Sequence, residues 1–262
     1  MIVLSAECLS ISFGGVRALD GVSFDVAAGT VFSIIGPNGA GKTTLFNLIS
    51  GLCPPGDGCV WLRGEDVTAL VPEQLARRGL SRTFQNLQIF SQLTAIENVM
   101  VGRHRHEVIG IFAELLHLPA VGRQNRRTHE AATAALARVG LGDKAEWPAG
   151  ALAYGDLKRL EIARALASEP TVLLLDEPAA GCNPVETKEI EAIIRGIVRD
   201  GITVILVEHD MRLVMNISDR ILVLANGRTL AEGAAAEVRM NSEVVEAYLG
   251  VRGAREAAGA VG

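Results

Sequence analysis

Apolar residues along this chain fall into two kinds of pattern. Short, nearly continuous runs stand at residues 30–35 (TVFSII), 171–176 (TVLLLD) and 202–210 (ITVILVEHD), each capped by polar residues at its carboxyl end. Such runs suit strands buried on both faces of a parallel sheet, whose carboxyl ends are where open α/β sheets bind ligands. Between them KTTLFNLIS, HEAATAALARVG, LKRLEIARALA and ETKEIEAIIRGIVRD carry helical periodicity. This alternation predicts α/β architecture. Residues 86–150 show helical periodicity and basic clusters such as GRQNRRTHE with no strand pattern, and read as a helical subdomain inserted into the sheet domain. Near the start, LSISFGGVRALDGVSFDVAAGT alternates apolar and polar residues with glycine breaks, which predicts an antiparallel β layer. The small, glycine-rich residues 251–262 read as a flexible tail.

Composition narrows the function classes. The 262 residues are 49% hydrophobic and 21% charged, enough for a substantial core. A formal net charge of -5 supplies no basic field for a nucleic-acid backbone, which argues against nucleic acid as a partner. Cys8, Cys53, Cys59 and Cys182 form no C-x-x-C pair and no zinc-like spacing with histidine, so reduced thiols are expected. Mean hydropathy is high at +0.29. The most suspicious stretch, VIGIFAELLHLPAVG, is nevertheless interrupted by polar residues and shorter than the roughly 20 apolar residues a membrane span needs. The first residues, MIVLSAECLS, lack the basic and apolar regions of a secretory signal, so a cytoplasmic location is expected.

The candidate chemistry begins after the first apolar run. GPNGAGKTT, from Gly36 through Pro37, Asn38, Gly39, Ala40, Gly41, Lys42 and Thr43 to Thr44, fits G-x-x-x-x-G-K-[ST] between a predicted strand and a predicted helix. Glycines there let successive backbone N–H groups curl around a phosphate, and the helix N-terminus adds positive potential. Lys42 is expected to reach the β- and γ-phosphates and Thr43 to ligate Mg²⁺. In VLLLDEP, Asp176 ends a buried run where it can hold the Mg²⁺ shell, and Glu177 is placed to polarise a water; alone, the pair would read as a helix cap. His209, in LVEHD, falls on the same sheet edge, within reach of a γ-phosphate.

The phosphate loop, RTFQ with Gln85, LAYGD, VLLLDEP and EHD stand in an order that resembles the ATP-binding subunit of ABC transporters over nearly the whole chain. RTFQNLQIF, LEIARAL, DEPAAGCNP and EHDMRLVMNISDR resemble more narrowly the ATPase of branched-chain amino acid importers, the LivG type. The resemblance implies a P-loop NTPase fold: a mainly parallel sheet core over residues 1–85 and 151–250, an N-terminal antiparallel layer, and the inserted helical subdomain. It also implies Mg²⁺-dependent ATP hydrolysis at the cytoplasmic face of the membrane. Expected partners are two transmembrane permeases, a second ABC ATPase subunit and, indirectly, an external solute-binding protein. In the family the turn Leu152, Ala153, Tyr154, Gly155, Asp156 caps ATP held by the opposite subunit; the common form is Leu-Ser-Gly-Gly-Gln. Ala153 and Tyr154 suit the branched-chain subfamily, whereas Asp156 departs from it. A carboxylate about 8 Å from an arriving phosphate, at an effective dielectric of about 40, would repel it by roughly 1 kcal/mol. On that reading Asp156→Gln should tighten ATP-driven dimerisation.

By the same resemblance Phe13 stacks on adenine, and Gln85 touches Mg²⁺ and water while linking the site to the helical subdomain. Asn183 takes the usual aspartate place of the loop AGCNP. The stretches GRHRHE and IGIFAELLHLP are read either as a solvated loop with a self-packed helix or as a permease-docking surface. Uptake of urea or short amides, lipid export, a soluble ABC ATPase and a nucleotide-dependent regulator remain alternatives.

Overall fold

The computed structural model describes residues 1–83, 88–103 and 119–248. Gln85, the stretch from 104 to 118 that holds most of the expected docking segment, and the tail 251–262 lie outside the described residues.

A six-stranded sheet carries the fold, in the order β10 (Arg228–Gly233), β9 (Arg220–Ala225), β3 (Val31–Ile35), β8 (Thr203–Val207), β7 (Val172–Asp176), β6 (Leu80–Arg82). All neighbours are parallel except the β9–β10 hairpin. Every residue of β3, β7 and β8 is buried, as their continuous apolar runs require. Alternate side chains enter different cores. Val172, Leu174, Ile205 and Val207 face the antiparallel layer, while Leu173, Leu175, Val204 and Leu206 face the helices.

The antiparallel layer has the order β2 (Val16–Ala27), β1 (Ile2–Phe13), β4 (Asp57–Leu62), β5 (Glu65–Asp66). It is therefore completed by residues well beyond the first 30. Helix α1 (Lys42–Ile49) packs between the layers through Leu45 and Phe46, and Phe24 stacks on Phe32 with ring centroids 5.2 Å apart. The short α2 (Pro72–Arg77) leads into β6.

Helices α3 (Ala95–Val101), α4 (Pro119–Arg138) and α5 (Tyr154–Leu166), with short 3₁₀ turns over Gly142–Lys144 and Ala149–Ala151, cover one side of the sheet. Helix α3 starts on a capping box in which Thr94 N–H donates to Glu97 Oε2 at 2.7 Å. Asn98, fully buried, accepts from Phe90 N–H at 2.9 Å and donates to the Phe90 and Thr94 carbonyls at 3.0 and 2.9 Å. One apolar cluster runs from Ala95, Val99, Leu136 and Leu160 to Leu173 and Leu206. Among the described residues the helices thus share one core with the sheet, and α5 packs in that same cluster. Helices α6 (Pro184–Arg199), α7 (Met211–Ile217) and α8 (Ala235–Met240) complete the fold.

Candidate functional site

The loop from the end of β3 to α1 is shaped by its glycines. Gly36 has φ +154°, and a Cβ there would stand 2.2 Å from the Leu224 carbonyl oxygen. Gly41, at φ +100°, caps α1 without a side-chain hydrogen bond. The first-turn N–H groups, Lys42 to Thr44, have no intrahelical acceptors and face an open cleft of about 640 Å³. Lys42 is buried, its Nζ donating to the Gly36 and Pro37 carbonyls at 2.7 and 3.0 Å. Burial pushes its pKa down, and the Glu177 charge partly restores it. Such a cradle, with uncapped N–H groups around an ammonium, fits a phosphate chain.

Glu177 and His209 enter the same cleft from the ends of β7 and β8. Glu177 sits at φ +50°, its N–H donating to the Val207 carbonyl at 2.9 Å. Its Oε1 lies 2.6 Å from His209 Nε2. Neighbouring Asp176 is buried; its N–H donates to Thr83 Oγ1 at 3.2 Å, and its Oδ2 accepts from Arg82 Nη2 at 2.9 Å. Burial raises the Asp176 pKa, with Arg82 working against that shift. Among the described residues no three His, Cys, Asp or Glu side chains form a metal cage. Asp176 at the end of β7 and Thr43 at the start of α1 instead suit Mg²⁺, which binds through one or two carboxylates plus substrate phosphates.

The phosphate loop, Arg82, Asp176 and Glu177 lie within the part of the chain, residues 19–180, that matches the ABC transporter family model. The chain belongs to the ABC transporter family. Nucleotide binding and ATP hydrolysis come with that membership. A second model, for branched-chain amino acid ATP-binding cassette transporters, matches residues 228–254. The cassette is 45% identical to the high-affinity branched-chain amino acid transport ATP-binding protein BraF of Pseudomonas aeruginosa, over 95% of this chain and 98% of that protein. It is 43% identical to the corresponding protein LivG of Escherichia coli, with the same coverage. A crystal structure of a nucleotide-free ATP-binding cassette from an ABC transporter superposes with a TM-score of 0.84 at 33% identity, covering 95% of this chain and all of that one. An ADP-bound cassette superposes equally well, with a TM-score of 0.84 at 33% identity over 95% of this chain and 99% of its own.

Other expected site residues of the cassette stand elsewhere. Phe13 ends β1 with half its surface exposed, and it is Val16, Arg17 and Ala18 of β2 that line the phosphate cleft. Residues 152–156 lie away from that cleft, at the start of α5. Leu152 is buried, and Ala153 occupies the N-cap without a side-chain bond. Tyr154 Oη donates to the Ala180 carbonyl at 3.2 Å. A Cβ on Gly155 would stand 2.6 Å from Glu186 Oε1. Asn183 N-caps α6, accepting from the Val185 and Glu186 N–H groups at 2.9 and 3.1 Å, so its side-chain oxygen is committed within its own subunit.

Asp156 requires a correction. It is 5% exposed and held between Lys144 Nζ, at 2.6 Å, and the Arg159 guanidinium. Burial alone would raise its pKa, but the hydrogen bonds from Lys144 and Arg159 prevail and hold it below the usual aspartate range. The side chain is an internal, neutralised anchor rather than a charge presented to an arriving phosphate, which removes the basis for the expected repulsion.

Sequence reasoning passed over Glu208, which is 2% exposed and accepts from the N–H groups of Ala179 and His209 at 2.8 and 2.9 Å. It ties the loop after Glu177 to the loop bearing His209. Its signal was its place between a buried apolar run and the histidine. Lys158, equally buried, donates to the Glu177 carbonyl at 3.3 Å and lies 5.9 Å from the Tyr154 ring centroid.

Proposed function

We propose that this cassette is the ATP-binding, Mg²⁺-dependent ATPase subunit of a branched-chain amino acid importer, working at the cytoplasmic face of the membrane. The observation that carries the catalytic half is the meeting of Glu177 and His209, 2.6 Å apart, over the uncapped N-terminus of α1. Lys42 and the amides of 39–44 bind the β- and γ-phosphates. Thr43, Asp176 and Gln85 hold Mg²⁺, which supplies neutralising charge for phosphoryl transfer. Glu177 orients and deprotonates the attacking water, and His209 contacts the γ-phosphate. The similarity to BraF and LivG, proteins named for branched-chain amino acid transport, supports the solute class.

Two such cassettes pair head to tail, the turn 152–156 of each closing on the other's ATP, with Phe13 beside the adenine and Asn183 at the shared interface. A second, different ATPase is the expected partner. Closure moves two permeases, and an external binding protein delivers the solute. A separate cleft of about 570 Å³ offers a permease seat. On its lining Leu52, Phe90 and Val101 are 48%, 50% and 45% exposed.

The test is a mild-detergent pull-down of the Glu177→Gln chain with ATP from its own cells, paired with turnover and uptake assays of the assembly. Two hydrophobic permeases and a second ATPase should co-purify, and Mg²⁺-dependent turnover should fall by about 10²- to 10⁴-fold with ATP still bound. Ribosomal or DNA-repair partners, or a variant that hydrolyses normally, would overturn the proposal.

A further inference from the structure

Arg82 closes β6 on the wall of the 570 Å³ cleft, yet its guanidinium points into the nucleotide side of the fold. Its side chain is 9% exposed and that of its partner Asp176 is 2% exposed. Nη2 donates to Asp176 Oδ2 at 2.9 Å, while Nη1 donates to Asn47 Oδ1 at 2.8 Å and Ser50 Oγ at 2.7 Å. The guanidinium carbon also lies 5.2 Å from the centroid of the Phe46 ring. Asn47 and Phe46 belong to α1, the helix whose N-terminus forms the phosphate cradle, and Ser50 caps its other end. One planar fork therefore ties the carboxylate at the end of β7 to the helix that begins at Lys42.

Net stability is weak ground for such a buried ion pair. Desolvating two charges offsets much of their attraction, and buried ion pairs can often be replaced by apolar side chains without loss. What the fork does supply is orientation, because a guanidinium fixes its acceptors in one plane as an ammonium cannot. It occupies Oδ2 of Asp176, and among the described residues no hydrogen-bond donor reaches Oδ1.

We propose that Arg82 is a positioning residue for the metal site: by clamping Asp176 through Oδ2 against α1, it presents Oδ1 toward the divalent cation that accompanies the nucleotide. This rests on the reading of Asp176 as a metal-holding carboxylate. A merely electrostatic role has the opposite sign, since a nearby positive charge repels a cation and its removal would tighten metal binding.

Mn²⁺, followed by electron paramagnetic resonance, probes the site in the full chain with ATP, in a Glu177→Gln background that limits turnover. Arg82→Lys keeps the charge and loses the fork; Arg82→Met loses both. Both variants are expected to weaken Mn²⁺ binding about ten- to a hundred-fold, the usual cost of removing a partner that orients a metal ligand. Binding of a fluorescent ATP analogue in EDTA should stay unchanged, which also reports folding. If Arg82→Met does not fold, Arg82→Lys carries the test. Unchanged Mn²⁺ affinity in the folded variants, or tighter binding in Arg82→Met, overturns the inference. Asp176→Asn separates the two readings. If it weakens Mn²⁺ binding and the Arg82 variants do not, the inference alone fails; if it leaves Mn²⁺ binding unchanged, the metal-site reading fails and the inference with it.

Discussion

Replacing Asp156 by asparagine removes one charge and almost no volume from the first turn of α5. Two cations lose their partner: Lys144, whose side chain is 28% exposed, and Arg159, 16% exposed. Breaking a buried pair costs about 3–5 kcal/mol when the survivor stays buried and unpaired. Here both survivors have an outlet, since Lys144 can turn toward water and Arg159 has Glu189 Oε2 at 3.6 Å. A charge-assisted hydrogen bond exceeds a neutral one by about 1 kcal/mol, so two of them lose about 2 kcal/mol. The lost carboxylate at a helix N-terminus adds about 0.5 kcal/mol. The expected destabilisation is therefore about 2–3 kcal/mol, or about 5–10 °C in Tm at roughly 2–4 °C per kcal/mol for a chain of this size.

Thermal and urea unfolding of the isolated chain, wild type against Asp156→Asn, measure this directly. The pH dependence gives a second reading. The native carboxyl is held below its ordinary value, so its contribution is fully present above the unfolded pKa of about 3.9 and is lost as pH falls through the lower native value. The gap between wild type and variant should thus be wide near neutrality and shrink below about pH 4. A difference under about 0.5 kcal/mol at pH 7 would place Asp156 among ordinary surface pairs and refute the reasoning. Because the charge is already neutralised internally, Asp156→Gln is expected to lower stability without tightening the ATP-bound dimer.

Gly36→Ala drives a Cβ to 2.2 Å from the Leu224 carbonyl oxygen, whereas a Cβ at Gly39, φ +80°, meets nothing within 4 Å. Urea midpoints should show about 3 kcal/mol lost at position 36 and only about 1–2 kcal/mol at 39; equal losses would contradict the packing argument. Lys158→Met removes the donor to the Glu177 carbonyl. At about 1 kcal/mol for that hydrogen bond, kcat for ATP should drop about fivefold with unchanged ATP affinity, and a weakened affinity at constant kcat would point elsewhere. Asn98→Ala leaves the Phe90 and Thr94 carbonyls without their side-chain donor. Chemical denaturation should show a loss of about 2–3 kcal/mol, and a neutral substitution would mean that the 88–94 loop is held by other contacts.

Elements whose cause is local were legible in the sequence. Strands β3, β7 and β8 announce themselves because both faces are covered, leaving no polar position to interrupt the run. Strand β6, only Leu-Ser-Arg, has no pattern of its own and exists because β7 offers it an edge. The β9–β10 hairpin turns at Asn226 and Gly227, both at positive φ, a hairpin signal that a search for apolar runs passes over. The phosphate loop is equally legible, because backbone conformation and cation lie within nine consecutive residues. The partners of its carboxylates are not. Arg82 and Asp176 are 94 positions apart, and Lys144 and Asp156 are 12 apart. No motif spacing records either pair.

Position 156 shows why a local rule can be correct and still misplace a side chain. A carboxylate in a first helical turn does favour the helix dipole, which is as much as chain order can say. Successive helical residues point about 100° apart. Gly155 meets Glu186 of α6, so the next residue is carried round toward the turn over Gly142–Lys144, where Lys144 and Arg159 receive it. The direction is set by the packing of α5, not by the five residues of the turn. The same packing brings Tyr154 and Lys158, about one turn apart, onto the chain between Glu177 and Ala180. The helix start that the resemblance assigns to the neighbouring subunit's ATP is therefore anchored, through two hydrogen bonds, on the segment that carries its own subunit's Glu177.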